Sequence, residues 1–172
     1  MTKYLYTLSI LLICFQIGCK RSTEPIVGIK DTHTTKNNTV YFYLSDTLGN
    51  YKTQFQTEED IIFNFGVINN LDTVVTFTKG HGGTPIVSFL VFKGDSLFGI
   101  SDEGYLYPAI VIGGAIVPND TLKYSASWHE NPFHQNKLEI GKYCTTISPY
   151  IWLDDFNLDS HLDTIYFEIL EN

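Results

Sequence analysis

Leu122-Lys123-Tyr124-Ser125-Ala126-Ser127-Trp128-His129 sets an apolar or aromatic side chain at every second position and a polar one between each pair. Strand side chains alternate between two faces, so this period of two predicts a β-strand with one face buried. The same texture spreads in both directions. Val40–Leu44 and Tyr51–Gln56 flank Ser45-Asp46-Thr47-Leu48-Gly49-Asn50, a hairpin whose Gly49 and Asn50 tolerate positive φ. Ile61, Phe63, Phe65 and Val67 share a face of the next strand, and Asn69-Asn70-Leu71-Asp72 turns the chain toward Thr73–Lys79, where Val75 and Phe77 face inward.

Ile86–Phe92 is continuously apolar, as a strand covered on both faces would be. Lys93-Gly94-Asp95 turns it back into Ser96–Ile100. Ala109–Val117 reads as a strand with a bulge at Gly113-Gly114. Tyr143–Ile147 and Ile165–Leu170 complete the set, and Ser148–Asp163 is ambiguous, with room for a short helical turn. No segment after the first twenty residues carries an apolar stripe at helical spacing. About nine or ten short strands over residues 40–172 predict an all-β fold. Two sheets burying their apolar faces against each other make a sandwich the natural solution. Its expected core is Phe63, Phe65, Phe77, Phe89, Tyr124, Trp128 and Tyr143; aromatic residues, 15% of the chain, fill the space between such sheets.

The N-terminal segment differs in kind. Lys3 precedes an apolar run, Tyr4–Phe15, that is too short to span a membrane but has the length of a signal-peptide core. Gln16-Ile17-Gly18-Cys19 follows and resembles the lipobox, in which the cysteine after a small residue is acylated and becomes the new N-terminus. Residues 1–18 are thus expected to form a lipoprotein signal peptide, with Cys19 the lipid attachment site. An ordinary secretory signal with an incidental cysteine is the plainer alternative. Residues 19–39, polar and rich in Thr, Lys and Asn, read as a flexible tether. The address implied is the bacterial cell envelope, lipid-anchored, at the outer membrane facing the periplasm.

A net charge of −8 without a basic stripe argues against a nucleic-acid partner and against adsorption to anionic headgroups. The lipid on Cys19 is the expected membrane contact. The three cysteines, Cys14, Cys19 and Cys144, offer no disulfide framework, so burial is expected to supply stability, with Cys144 acting as a small buried hydrophobe.

No nucleophile motif frames any Ser, His or Asp, so no catalytic residue, no enzymatic activity and no cofactor are expected. His129 and His134 lack a third metal ligand in reach. Lys79-Gly80-His81-Gly82-Gly83-Thr84-Pro85 is glycine-rich but lacks the Gly-Lys-Ser/Thr ending of a phosphate loop. Asp155-x-Asn157-x-Asp159-x-His161-x-Asp163 evokes a calcium loop, yet Ser160 and Tyr166 stand where the turn glycine and the bidentate Glu belong. No metal site is expected.

Residues 59–147 carry a family resemblance in three segments. These are Asp60–Asn70, ending in an Asn turn; Ile116-Val117-Pro118-Asn119-Asp120-Thr121-Leu122-Lys123-Tyr124 followed by Trp128; and Glu139-Ile140-Gly141-Lys142-Tyr143. Together they resemble the BsuPI-type intracellular proteinase inhibitor domain, which implies an immunoglobulin-like sandwich and an inhibitory role. In Gly141-Lys142-Tyr143 the glycine permits a tight entry and the tyrosine hydroxyl can tie a corner. Asn119 stands in place of the usual turn glycine, residues 148–172 and the 40–56 hairpin extend the domain, and the export signal departs from an intracellular family.

The function expected is a non-catalytic protein-interaction module on an envelope lipoprotein, with a protein partner that a protease would satisfy. The alternative is a structural or assembly component of the envelope. The expected contact loops are Gly80–Pro85, with His81, and His129–Lys137, with Phe133 as an aromatic anchor or as a lid folded onto the core.

Overall fold

The computed structural model describes residues 31–80, 84–133, 137–153 and 164–172. Twelve strands lie within them: β1 (Asp31–Thr34), β2 (Asn38–Ser45), β3 (Gln54–Gln56), β4 (Ile62–Asn69), β5 (Val75–Lys79), β6 (Val87–Lys93), β7 (Ser96–Ile100), β8 (Ile112–Ile116), β9 (Thr121–Ser127), β10 (Gly141–Pro149), β11 (Ile151–Leu153) and β12 (Ile165–Leu170). No helix occurs among the described residues. One sheet has the order β1-β2-β4-β9 and a second β3-β12-β10-β6-β7. Phe89 of β6 joins them: its ring stacks at 5.5 Å on Phe42 of β2, 5.2 Å on Phe63 of β4 and 5.9 Å on Tyr124 of β9. The fold is an all-β sandwich.

The alternation read from the sequence sets the inner face. Ile61, Phe63, Phe65 and Val67 are all buried, as are Phe89, Trp128 and Tyr143; Phe77 and Tyr124 are partly buried against the same core. Tyr143 ties its corner: its Oη accepts from the Glu139 amide at 3.1 Å and donates to the Glu139 carbonyl at 3.0 Å. Gly141 enters that strand at φ +146°, which L side chains rarely adopt. Asn119 takes the turn glycine's place at φ +61°, where Asn is among the best tolerated of other residues.

Several expectations are corrected. The hairpin after β2 begins, with a bridge between Ser45 and Tyr51, but its second arm leaves: β3 pairs in parallel with β12 in the opposite sheet. Phe55 drives the switch, because there it is buried with its ring edge-on to Phe167 at 6.4 Å. Sheet structure also begins earlier than residue 40. β1 pairs with β2, from Asp31 opposite Phe42 to Thr34 opposite Thr39, within the stretch assigned to a tether. β8 carries no bulge; Gly113 and Gly114 pair in regular register with Thr78 and Phe77, and a Cβ on Gly114 would fall 2.3 Å from the Phe77 ring. Part of the ambiguous 148–163 segment is strand: Ser148 and Pro149 end β10, and β11 follows. A third sheet, β11-β5-β8, was not foreseen; its Val75, Ile116, Ile151 and Leu153 join the common core. Cys144 is buried as expected, but it is disulfide-bonded. The other two cysteines lie outside the described residues.

Candidate functional site

A cleft of about 600 Å³ opens where the β7–β8 connection meets β9, and both expected contact loops contribute to its lining. Thr84 and Pro85 contribute from the glycine-rich loop, and Glu130 and Asn131 from the loop after β9. Local hydrogen bonding explains why the segments converge. Ser101 extends the β6–β7 pairing, its amide donating to the Phe89 carbonyl at 2.9 Å and its Oγ accepting from the Phe89 amide at 3.0 Å. Buried Asn131 then clamps across: its Nδ2 donates to the carbonyls of Ser101 at 3.0 Å and Glu103 at 3.1 Å, and its Oδ1 accepts from the Phe133 amide at 2.9 Å. Also in the lining, Lys79 Nζ donates to the Thr84 carbonyl at 2.7 Å.

Three tyrosines supply the aromatic part of the lining. Tyr105 and Tyr107 stack at 6.2 Å with their planes 20° apart, and Tyr124 joins from β9. Burial, reinforced by the nearby Asp102 carboxylate, pushes the Tyr124 phenol up to about 12 and raises Tyr107 as well. Both hydroxyls therefore stay protonated at neutral pH and can donate as well as accept. Asp102 sits at the foot of the cleft, 9% exposed, with Oδ1 accepting from the Ser88 hydroxyl.

The β7–β8 connection is also apolar and exposed. Leu106 is 97% exposed, and Ile110, Val111 and Ile112 are exposed beside it, leading into β8 at the edge of the third sheet. Residues 104–117 carry no charged side chain.

Of the residues expected to act, Cys19 and His81 lie outside the described residues, as do His134 and the whole 155–163 segment. Phe133 is described and is not a core lid: it is 49% exposed, sits edge-on to Tyr105 at 5.2 Å, and lies where a Cβ on Gly104 would come within 2.5 Å of it. Phe133 thus packs on the loop that carries the tyrosines. His129 is tied to the sandwich, its amide donating to Asp60 Oδ1 at 3.1 Å while Ser127 Oγ donates to Asp60 Oδ2 at 2.6 Å. Among the described residues no group of three His, Cys, Asp or Glu could hold a metal ion.

Sequence reasoning missed Asp102, Tyr105, Leu106 and Tyr107. The available signal was Tyr105-Leu106-Tyr107-Pro108, two aromatics in a segment too proline-bound for a central strand and devoid of charge.

No family model matches the chain, and no curated protein matches it. Among solved structures, it is similar to a β-glucosidase from Listeria innocua in complex with glucose, at 10% identity and a TM-score of 0.38, covering 76% of this chain and 16% of that one. It is also similar to the C-terminal domain of wzt, at 10% identity and a TM-score of 0.36, covering 83% of this chain and 79% of that one. Likenesses this distant carry no argument about activity.

Proposed function

We propose that this chain is an envelope lipoprotein, anchored through Cys19, that presents a non-catalytic immunoglobulin-like interaction module to a protein partner; inhibition of a proteinase is one form such binding could take. The observation that carries the reading is the uncharged, exposed segment around Leu106, Ile110 and Val111 beside the tyrosine cleft. Contiguous exposed apolar surface on a domain with a well-packed core marks an interaction site more often than chance. The Phe133–Tyr105 contact adds an aromatic anchor of the kind that concentrates binding energy.

A structural or assembly role in the envelope is the second reading. It draws on β8, whose outer edge has no neighbouring strand among the described residues and could accept one from another chain.

The anchor has a chemical consequence for Cys144. Signal cleavage removes Cys14. The disulfide at Cys144 counts against the anchor if its partner is Cys19, because acylation would occupy that sulfur; the reading requires an anchored chain in which Cys144 is not bonded to Cys19. Photo-crosslinking with the full chain in its bacterial host tests the whole reading. A probe at Leu106 is expected to capture a defined protein in the membrane fraction, whereas one at Leu48, 86% exposed on the β2–β3 loop, captures none. Cys19→Ser is expected to release the protein from the membrane and abolish lipid labelling. Equal capture at both positions, or membrane-extracted protein that retains a Cys144 disulfide to Cys14 or Cys19, would refute it.

A further inference from the structure

We propose that the tyrosine cleft receives the guanidinium group of an arginine side chain supplied by the partner, with Asp102 as its carboxylate and the Tyr105–Tyr107 pair as its stacking surface. The inference rests on the interaction-module reading and names the chemistry of its contact.

Three observations converge on a cation. Asp102 is nine-tenths buried at the cleft, with Oδ1 accepting from Ser88 while Oδ2 keeps contact with solvent. A ligand that brings N–H donors to that oxygen gains by charge and by hydrogen bonding together. The walls add Glu130, while Lys79, the cation of the lining, is hydrogen-bonded to the Thr84 carbonyl. Two carboxylates against one ammonium leave the site negative, on a chain of net charge −8. An anion is repelled.

The rings then select among cations. Tyr105 is partly exposed, and a ring face attracts a cation through its quadrupole. A planar, weakly hydrated guanidinium can stack on that face and still send N–H groups to a carboxylate, whereas a compact ammonium gives up more hydration to do either. A neutral polyol could use the tyrosine hydroxyls, but it would forgo the charge term.

The test uses the full chain in detergent with Nα-acetyl-L-arginine methylamide as the probe, followed by saturation-transfer NMR and calorimetry. The lysine analogue and glucose serve as comparators. The arginine probe is expected to bind more tightly than either and to weaken as salt rises. Asp102→Asn keeps an acceptor for Ser88 and is expected to weaken binding at least about tenfold, or ~1.4 kcal/mol. Should that variant fail to fold, Tyr105→Ala lies on an exposed loop and is expected to weaken binding several-fold with its melting temperature nearly unchanged. No arginine binding, binding indifferent to the substitutions made, or tighter binding of glucose would each overturn the proposal. If crosslinking at Leu106 succeeds while the probe does not bind, the guanidinium site is wrong and the interaction module stands. If the probe binds while crosslinking fails, the module fails, and the source of the guanidinium is a small molecule.

Discussion

Replacing Phe89 by alanine would remove the side chain on which the two larger sheets meet. Phe89 is fully buried, and its ring faces three aromatic neighbours on the opposite sheet, Phe42, Phe63 and Tyr124, at 5.2–5.9 Å. Truncating a buried phenylalanine costs about 3–5 kcal/mol through lost transfer energy and the cavity left behind. Each aromatic pair adds ~0.5–1.5 kcal/mol beyond burial, which places this site near the top of that range, at about 4–5 kcal/mol. For a domain of this size that corresponds to a fall in melting temperature of roughly 10–15 °C. Urea denaturation followed by tryptophan fluorescence would measure it, since Trp128 lies 5.9 Å from Phe63 in the same core. Total stability of a single domain is only about 5–15 kcal/mol, so Phe89→Leu, expected to cost about 1–2 kcal/mol, provides a milder variant should the alanine protein not fold. Leu48→Ala, at an exposed loop position, should change stability by no more than about 0.5 kcal/mol. A loss below about 1 kcal/mol for Phe89→Ala, far under the range for a buried phenylalanine, would mean that the sheets do not pack through this residue.

Tyr143→Phe keeps the ring against Phe167 at 5.5 Å and Phe98 at 5.4 Å but removes both hydrogen bonds to Glu139. Because Glu139 is exposed and water can replace the hydroxyl, the expected loss is about 1–1.5 kcal/mol, seen as a lower urea midpoint with unchanged slope; no change would remove the corner's role. Tyr124 holds its phenol proton more tightly folded than unfolded, with its folded value near 12 against an ordinary 10.0. Its contribution to stability is therefore complete below pH 10 and is lost as pH climbs through about 12. Tyr124→Phe should flatten the alkaline fall of the urea midpoint, and an unaltered profile would count against the buried phenol.

The sandwich was legible because alternation is local. Ile61, Phe63, Phe65 and Val67, or Leu122 through Trp128, declare strand and inward face without reference to any partner. The Tyr143 corner and the Asn119 turn were legible for the same reason: each depends on a few neighbouring residues and a φ value that Gly or Asn adopts readily. Which strand pairs with which is a different kind of fact. Tyr51–Gln56 has the composition of a hairpin arm, yet β3 ends beside β12, far along the chain, because Phe55 buries itself best against Phe167.

The cleft shows the same division. From sequence alone, residues 80–85 and 129–137 read as two separate contact loops, and 109–117 as a strand. Tertiary structure brings Thr84, Tyr105, Tyr107, Tyr124 and Glu130 around Asp102, and the Asn131 side chain, bonded to the distant Ser101 and Glu103, holds two of those segments together. Short-range patterning determined most of the strands and their buried faces, though not β1 or β11. The pairing of β3, the third sheet and the cleft were decided only when distant polar groups and rings found partners, since the free energy of those contacts depends on distance in space and not on separation along the chain.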